Sequence, residues 1–307
     1  MNTLTSLFNI LIFPAGLTLI LIGLFYEWAD HKLIARLQNR VGPRWFQPFA
    51  DLVKLFAKEQ IAPGIVNKIL FFGLPVVALS GALTSALYVP LIGLAPTHSF
   101  PGDLVVALYL LSLLTICMGL AGWNTSSRFS LVGATRALTQ VFAYEAPFLL
   151  ALLGPALAAG SWQISEINAY AGNHWLLLTQ PVGFVVALIG LMGKLELPPF
   201  DAPEAETEIV AGALTDYSGR GLAIFNLGKL VELVVGLTLI SAFYLGGLNG
   251  ILAFILKTLV LLLVMAVLQS VLTRLRIDQT VGLWWRYGAL FVLAQMLVMI
   301  VVKGWSL

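Results

Sequence analysis

Cysteine is nearly absent from this 307-residue chain: Cys117 stands alone, so no disulfide can form within it. Histidine is as scarce. His31, His98 and His174 fall at unrelated positions, with no CxxC or HxxxH spacing, which argues against haem or iron–sulfur ligation by this chain alone. Asp, Glu, Lys and Arg make up only 10% of the residues, against about 25% in an ordinary soluble domain. With 59% of the residues apolar, a water-soluble globule is excluded. Fifteen acids against 17 bases leave +2, so no bulk charge draws nucleic acid. Repeats and low-complexity tracts are also missing, which predicts one membrane domain over residues 1–307. The first apolar run has no Lys or Arg before it and no small-residue cleavage site after it, and reads as a retained transmembrane helix rather than a signal peptide.

What the chain has in abundance is long apolar runs. A bilayer-spanning helix needs about 20 such residues in a row. Eight such runs occur, at 5–26, 69–94, 103–122, 137–159, 175–196, 222–245, 250–272 and 286–303. The expected fold is therefore an all-α integral membrane protein with about eight transmembrane helices. Lys and Arg number seven between runs one and two, two between three and four, and one between five and six; Arg274, Arg276 and Arg286 surround the last connection. The alternate connections have none. By the positive-inside rule the basic connections face the cytoplasm, with both termini on the other side of the cell inner membrane. Within the first connection, WFQPFADLVKLFAKE (45–59) repeats Phe49, Leu52, Val53 and Phe56 at helical spacing, while Asp51, Lys54 and Lys58 point elsewhere. This predicts an amphipathic interfacial helix, either a surface anchor or one wall of a docking surface.

Charges inside apolar runs are costly, about 2.5–3.5 kcal/mol each near a helix centre on insertion scales, so they call for partners or water. Glu145 lies in run four, Lys194 and Glu196 end run five, and Lys229 and Glu232 lie one turn apart in run six. With the topology above, all five fall in the cytoplasmic half of the bilayer, which suggests a polar path from the cytoplasm towards the midplane. The alternative is that Lys229 and Glu232 neutralise each other and serve packing only. Lys257 carries no expected function, because its stem can snorkel outward. Pro147, two residues after Glu145, frees a carbonyl in the preceding turn and is a candidate bend.

The densest acidic stretch is PPFDAPEAETEIVAGALTDYSG (198–219), between runs five and six. Pro203 suits the first turn of a short helix. Asp201, Glu204 and Glu208 would then share one face. Arg36, Arg40 and Arg44 of the first connection lie on the same predicted side and are candidate partners for these acids.

Three stretches carry a family resemblance: HKLIARLQNRVGPRWFQPFADLVKLFAKE (31–59), GWNTSSRFSLVGATRALTQVFAYEAP (122–147) and the acidic stretch itself. In this order they resemble the signature regions of the NADH dehydrogenase subunit 1 family of respiratory complex I. The likeness spans essentially the whole chain. That family includes the corresponding subunits of membrane-bound nickel–iron hydrogenases and related ferredoxin-dependent complexes. The resemblance implies a helical subunit without a redox cofactor of its own, joining a cytoplasmic arm to antiporter-like membrane subunits. It implies a place in the polar path for Glu145, and a coupling loop beneath the quinone cavity for Asp201, Glu204, Glu206 and Glu208. Arg36, Arg40 and Asp51 would border the cavity or docking surface.

The departures from the family pattern bear on which branch is meant. Quinone-linked members usually read AExxRxPFD where this chain reads KLELPPFD, so Lys194 stands for a glutamate and Leu197 for an arginine; Lys229 likewise stands where a glutamate is common. The expectation is thus a hydrogenase-like complex, with its nickel–iron centre and iron–sulfur clusters in partner subunits. The alternative is a complex I whose quinone binds at the interface with a quinone-module subunit. An independent secondary transporter would predict inverted repeats, and none is visible.

Overall fold

The computed structural model describes residues 8, 9, 11–64 and 66–305. Among these residues, eleven helices organise the chain: α1 (Gly16–Leu37), α2 (Gln47–Ala57), α3 (Lys68–Ala86), α4 (Asp103–Trp123), α5 (Arg128–Ala159), α6 (Ile164–Asn173), α7 (Pro181–Lys194), α8 (Gly219–Tyr244), α9 (Ile251–Val271), α10 (Ile277–Leu283) and α11 (Ala289–Trp305). A π-helical turn at Trp284–Gly288 joins the last two, and the remaining helical pieces are single turns. No strand occurs among the described residues.

Among the described residues, six stretches are long and apolar enough to cross a membrane: Lys68–Gly93, Asp103–Trp123, Arg128–Ala159, Gly219–Tyr244, Ile251–Val271 and Ile277–Val302. The other two of the eight expected spans differ from the prediction. The first apolar run stops before Glu27, whereas α1 continues to Leu37, because Glu27, Asp30, His31 and Lys32 are all tolerated within the helix; residues 5–7 lie outside the described residues. The fifth is expected over 175–196. A break at Gln180 leaves α7 only 14 residues, a rise of about 21 Å against a hydrocarbon core of about 30 Å. Helix α5 starts nine residues earlier than expected, placing Arg136 inside it, and runs unbroken through Pro147 and Pro155. The amphipathic α2 spans Gln47–Ala57, inside the predicted 45–59.

Helix α8 is the hub. Arg220, Lys229 and Glu232 aside, it is largely apolar all round, as a helix surrounded by others must be, and most of it is buried. It packs against α1, α2, α3, α7 and α9. Lys229 and Glu232 therefore lie at the centre of the bundle rather than on its lipid face. The Gly288–Val302 end is peripheral by contrast, with Leu290, Phe291, Leu297, Val298 and Val301 exposed.

Close backbone approach positions the acidic connection. A Cβ on Gly133 of α5 would sit 2.3 Å from the Ala213 amide nitrogen, and one on Gly122 of α4 would sit 2.9 Å from Ala213 Cα. Only glycine admits the Gly212–Leu214 turn against these two helices. The far end of the connection is fixed by Tyr217, whose ring stacks on Phe71 of α3 at 4.2 Å and whose hydroxyl donates to the Phe71 carbonyl. Lys257 does more than reach outward: its ammonium donates to the Gly246 and Gly247 carbonyls at 3.1 and 2.6 Å, a cation at the C-terminal end of α8.

Candidate functional site

The five charges predicted inside the bundle, joined by Glu204 of the acidic connection, form two ion-paired triads. In the first, Lys194 at the end of α7 lies 3.7 Å from Glu145 of α5 and 3.6 Å from Glu232 of α8. Lys194 and Glu232 are each 1% exposed. Ser112 of α4 completes this triad, donating to Glu145 and accepting from Lys194 at 3.3 Å. The Lys194 ammonium also sits over the Tyr144 and Phe148 rings at 5.8 and 6.0 Å, where the ring faces stabilise a cation.

In the second triad, Lys229 donates to Glu196 at 3.0 Å and to Glu204 at 2.5 Å. Lys229 and Glu232 do not pair with each other. Although one turn apart on α8, they take different partners, and this removes the reading in which they merely cancel. The Glu204 side chain is 41% exposed while that of Glu196 is 4% exposed, so Lys229 bridges a wet carboxylate and a dry one.

The end of α7 holds Glu196 in an uncommon way. The Glu196 amide donates to Gly193 O and the Leu197 amide to Met192 O, the two reversed bonds that close a helix at a left-handed residue. That residue is Glu196, with φ of 55°, where glycine is the usual occupant. A left-handed backbone costs an L-residue about 1–2 kcal/mol, so the carboxylate is aimed at Lys229 at some expense. Gln140 of α5 braces the same region. It is buried and donates to the Gly193 and Phe200 carbonyls, both at 2.8 Å.

The acidic connection is not one short helix. A tight turn at Ala202–Glu204 and a helical turn at Glu206–Ile209 are separated by Ala205, whose ψ of 87° is non-helical. The acids consequently do not share one face. Glu204 turns inward to Lys229, whereas Asp201 accepts two bonds from Arg274 at 2.7 and 2.5 Å. Glu208 accepts from Arg136 at 2.7 Å, with Arg274 at 3.8 Å. The side chain of Glu206 lies outside the described residues. Arg136 and Arg274, rather than Arg36, Arg40 and Arg44, are thus the arginines that hold the connection; the latter three are exposed. Asp51 is exposed on α2 and accepts from Gln47 at 3.1 Å.

Between α1 and the second triad lies a cavity of about 170 Å³, lined by Glu27, Asp30, His31, Glu196, Glu204 and Lys229 among others. It adjoins an open cavity of about 690 Å³ beneath the connection, which reaches Asp201, Thr207 and Arg274. Asp30 is buried and accepts from Gln269 of α9 at 3.2 Å. Among the described residues no three His, Cys, Asp or Glu side chains converge as a metal site would require.

Sequence patterns alone do not single out Ser112, Gln140, Tyr144, Arg136, Arg274 or the Asp30–Gln269 pair. Ser112 and Asp30 carry a usable signal, a polar residue within or beside an apolar run. The two arginines carry none beyond the expected side of the membrane.

This architecture has relatives. The model of the NADH dehydrogenase family matches residues 9–300. The chain belongs to the NADH dehydrogenase subunit 1 family of respiratory complex I. It is 33% identical to the H-type subunit of the NADH-quinone oxidoreductase of Carboxydothermus hydrogenoformans, over 99% of this chain and 90% of the relative. It is also 34% identical to H-type subunit 1 of the same enzyme in Geobacter metallireducens and 35% identical to H-type subunit 2 in Geobacter sulfurreducens, in each case over 97% of this chain and 94% of the relative. A multi-pass membrane subunit of a complex I-like assembly, with membrane and cytoplasmic-arm partner subunits, follows from that membership.

Proposed function

We propose that the chain couples electron transfer in a cytoplasmic redox arm to proton or sodium translocation, as the membrane subunit of a ferredoxin-dependent, membrane-bound hydrogenase type of complex. The observation that carries this reading is Lys194 buried between Glu145 and Glu232. A lysine stands where quinone-linked members usually have a glutamate, and the surrounding helices supply it with two carboxylates, a hydroxyl and two ring faces. The site is built around the substitution.

Coupling follows from how the triads adjoin. Glu204 sits on the acidic connection, where a redox arm would press, and Lys229 is shared between it and Glu196. Drawing Glu204 away, or protonating it, changes the charge around Lys229. Glu232 lies one turn along α8. Its proton equilibrium feels that change through a low-dielectric interior, which screens charges far less than water does. In this scheme Glu145, Lys194, Glu196, Lys229 and Glu232 form the ion path. Asp201, Glu204, Glu206 and Glu208 form the coupling loop, and the exposed Arg36, Arg40 and Asp51 meet the arm. Eight membrane crossings, with both termini outside the cytoplasm, complete the arrangement in the cell inner membrane.

A second reading, the quinone-site subunit of an NADH:quinone oxidoreductase, is favoured by a different observation. The open cavity beneath the connection is large enough for a quinone ring, and the relatives named above are quinone oxidoreductase subunits. The cofactors that co-purify with the intact complex separate the two. Nickel with iron–sulfur clusters is the expected result; flavin with bound quinone and no nickel overturns the hydrogenase assignment in favour of the second reading.

A further inference from the structure

Three cavities meet at one side chain. The cavity of about 170 Å³ has Glu196, Glu204 and Lys229 on its inner wall. A second, of about 90 Å³, runs between α1 and α2 past Gln47 and Asp51. The third is the open cavity of about 690 Å³ beneath the acidic connection. His31 lines all three, and no other described residue does. Each is roomy enough for several waters, since one water needs about 10–15 Å³ by this measure.

We propose that His31 is the proton-collecting residue of this chain, passing protons from water beneath the acidic connection to the Lys229–Glu196–Glu204 triad; the proposal rests on the ion-path reading above. Histidine suits the position chemically. A neutral imidazole takes a proton on one ring nitrogen and releases the proton on the other, so each passage leaves the ring neutral and balances without a co-reactant. The groups around it favour traffic of positive charge. Glu27 and Asp30 flank it on α1 and share its cavities, Asp51 of α2 lines the second cavity with it, and Glu196 and Glu204 stand on the inner wall. The cations that share these cavities are Lys229, held by two carboxylates, and Arg274, held by Asp201. The rival route is direct protonation of Glu204, whose side chain already meets water.

The test uses the intact complex in sealed vesicles, driven by its own electron donor, with a sodium ionophore present so that only a pH gradient is read. His31→Ala and His31→Gln are compared with Glu145→Gln as the control for the path. The expected result is that both His31 variants assemble, form the pH gradient about tenfold more slowly per electron transferred, and that millimolar imidazole restores His31→Ala but not Glu145→Gln. Restoration by a diffusible proton carrier is something a packing role would not produce. A normal gradient in the His31 variants beside a failed one in Glu145→Gln overturns the relay and leaves Glu204 as the point of uptake. A loss that imidazole does not relieve, or failure of both variants to assemble, makes His31 a packing residue. A normal gradient in Glu145→Gln strikes instead at the ion-path reading.

Discussion

The ammonium of Lys194 lies 3.6 Å from a carboxylate oxygen of Glu232, with both side chains 1% exposed. Among the described residues, neither Glu232 oxygen has a closer hydrogen-bond donor. Buried this deeply, the two groups depend on each other, since removing one partner of a buried pair is typically worth about 3–5 kcal/mol. Lys194→Met should therefore destabilise the subunit by about that amount, leaving Glu145 and Glu232 facing each other. The double variant Lys194→Met with Glu232→Leu removes the more deeply buried of the two orphaned carboxylates, leaving Glu145 with Ser112, and should recover part of the loss. Thermal unfolding of the purified complex measures both; equal destabilisation by the single and double variants would count against the pairing.

Glu145→Gln and Glu232→Gln should each lower the ion gradient formed per electron in sealed vesicles while leaving electron transfer at the redox centres partly intact. Assembly is checked first, because Glu232→Gln weakens the hold on Lys194. Normal gradients from fully assembled variants would make these charges structural only.

Arg274→Gln removes the two bonds to Asp201 and the contact with Glu208. Partly exposed ion pairs are worth about 0–1 kcal/mol each, so the subunit should stay folded. The loss should be local, as faster amide hydrogen exchange across 201–209 with little change in α5 or α8. Raising the salt concentration in the unaltered protein should move exchange the same way. Unchanged exchange in the variant would show that Arg136, Lys229 and the Gly212–Leu214 turn hold the connection without Arg274.

Glu196 occupies a left-handed backbone position, so its two obvious replacements should differ. Glycine relieves the backbone and glutamine does not. Glu196→Gly should be more stable than Glu196→Gln by about 1 kcal/mol, although both leave Lys229 with one carboxylate instead of two. Their relative melting temperatures in the intact complex decide it, and the reverse order would argue against strain at this residue.

Reporter fusions after Pro96 and after Arg274 should read opposite sides of the membrane, the second cytoplasmic. Identical readings would refute the eight-crossing arrangement.

The helices are legible in the sequence because apolar length is written directly into the chain: α4 and α9 begin and end within a residue or two of the predicted runs. Errors arise where a charge is read as a boundary. Arg136 lies inside a helix because the acidic connection supplies its partners, and Glu27 because it borders two cavities, facts of tertiary structure rather than local sequence. The site is partly legible for the same reason. Five charges in apolar runs have to converge, but the exchange of partners between Lys229 and Glu232 depends on how α7 ends. That ending uses a left-handed glutamate where glycine or asparagine is usual, so Pro198 and Pro199 announce the stop but not the aim of the Glu196 side chain. Arg136 and Arg274 meet the connection from segments 66 and 73 residues away from their partners, beyond what spacing can reveal.

The two triads also set a stoichiometric limit. Counted as ionised groups, one lysine with two carboxylates carries a net charge of −1, and the bundle contains this unit twice. One added proton brings either unit to neutrality, and a second in the same unit would leave uncompensated positive charge among apolar helices. On the ion-path reading, the two triads thus hold at most two added protons between them, one each, with Asp30 and Glu27 standing outside that count.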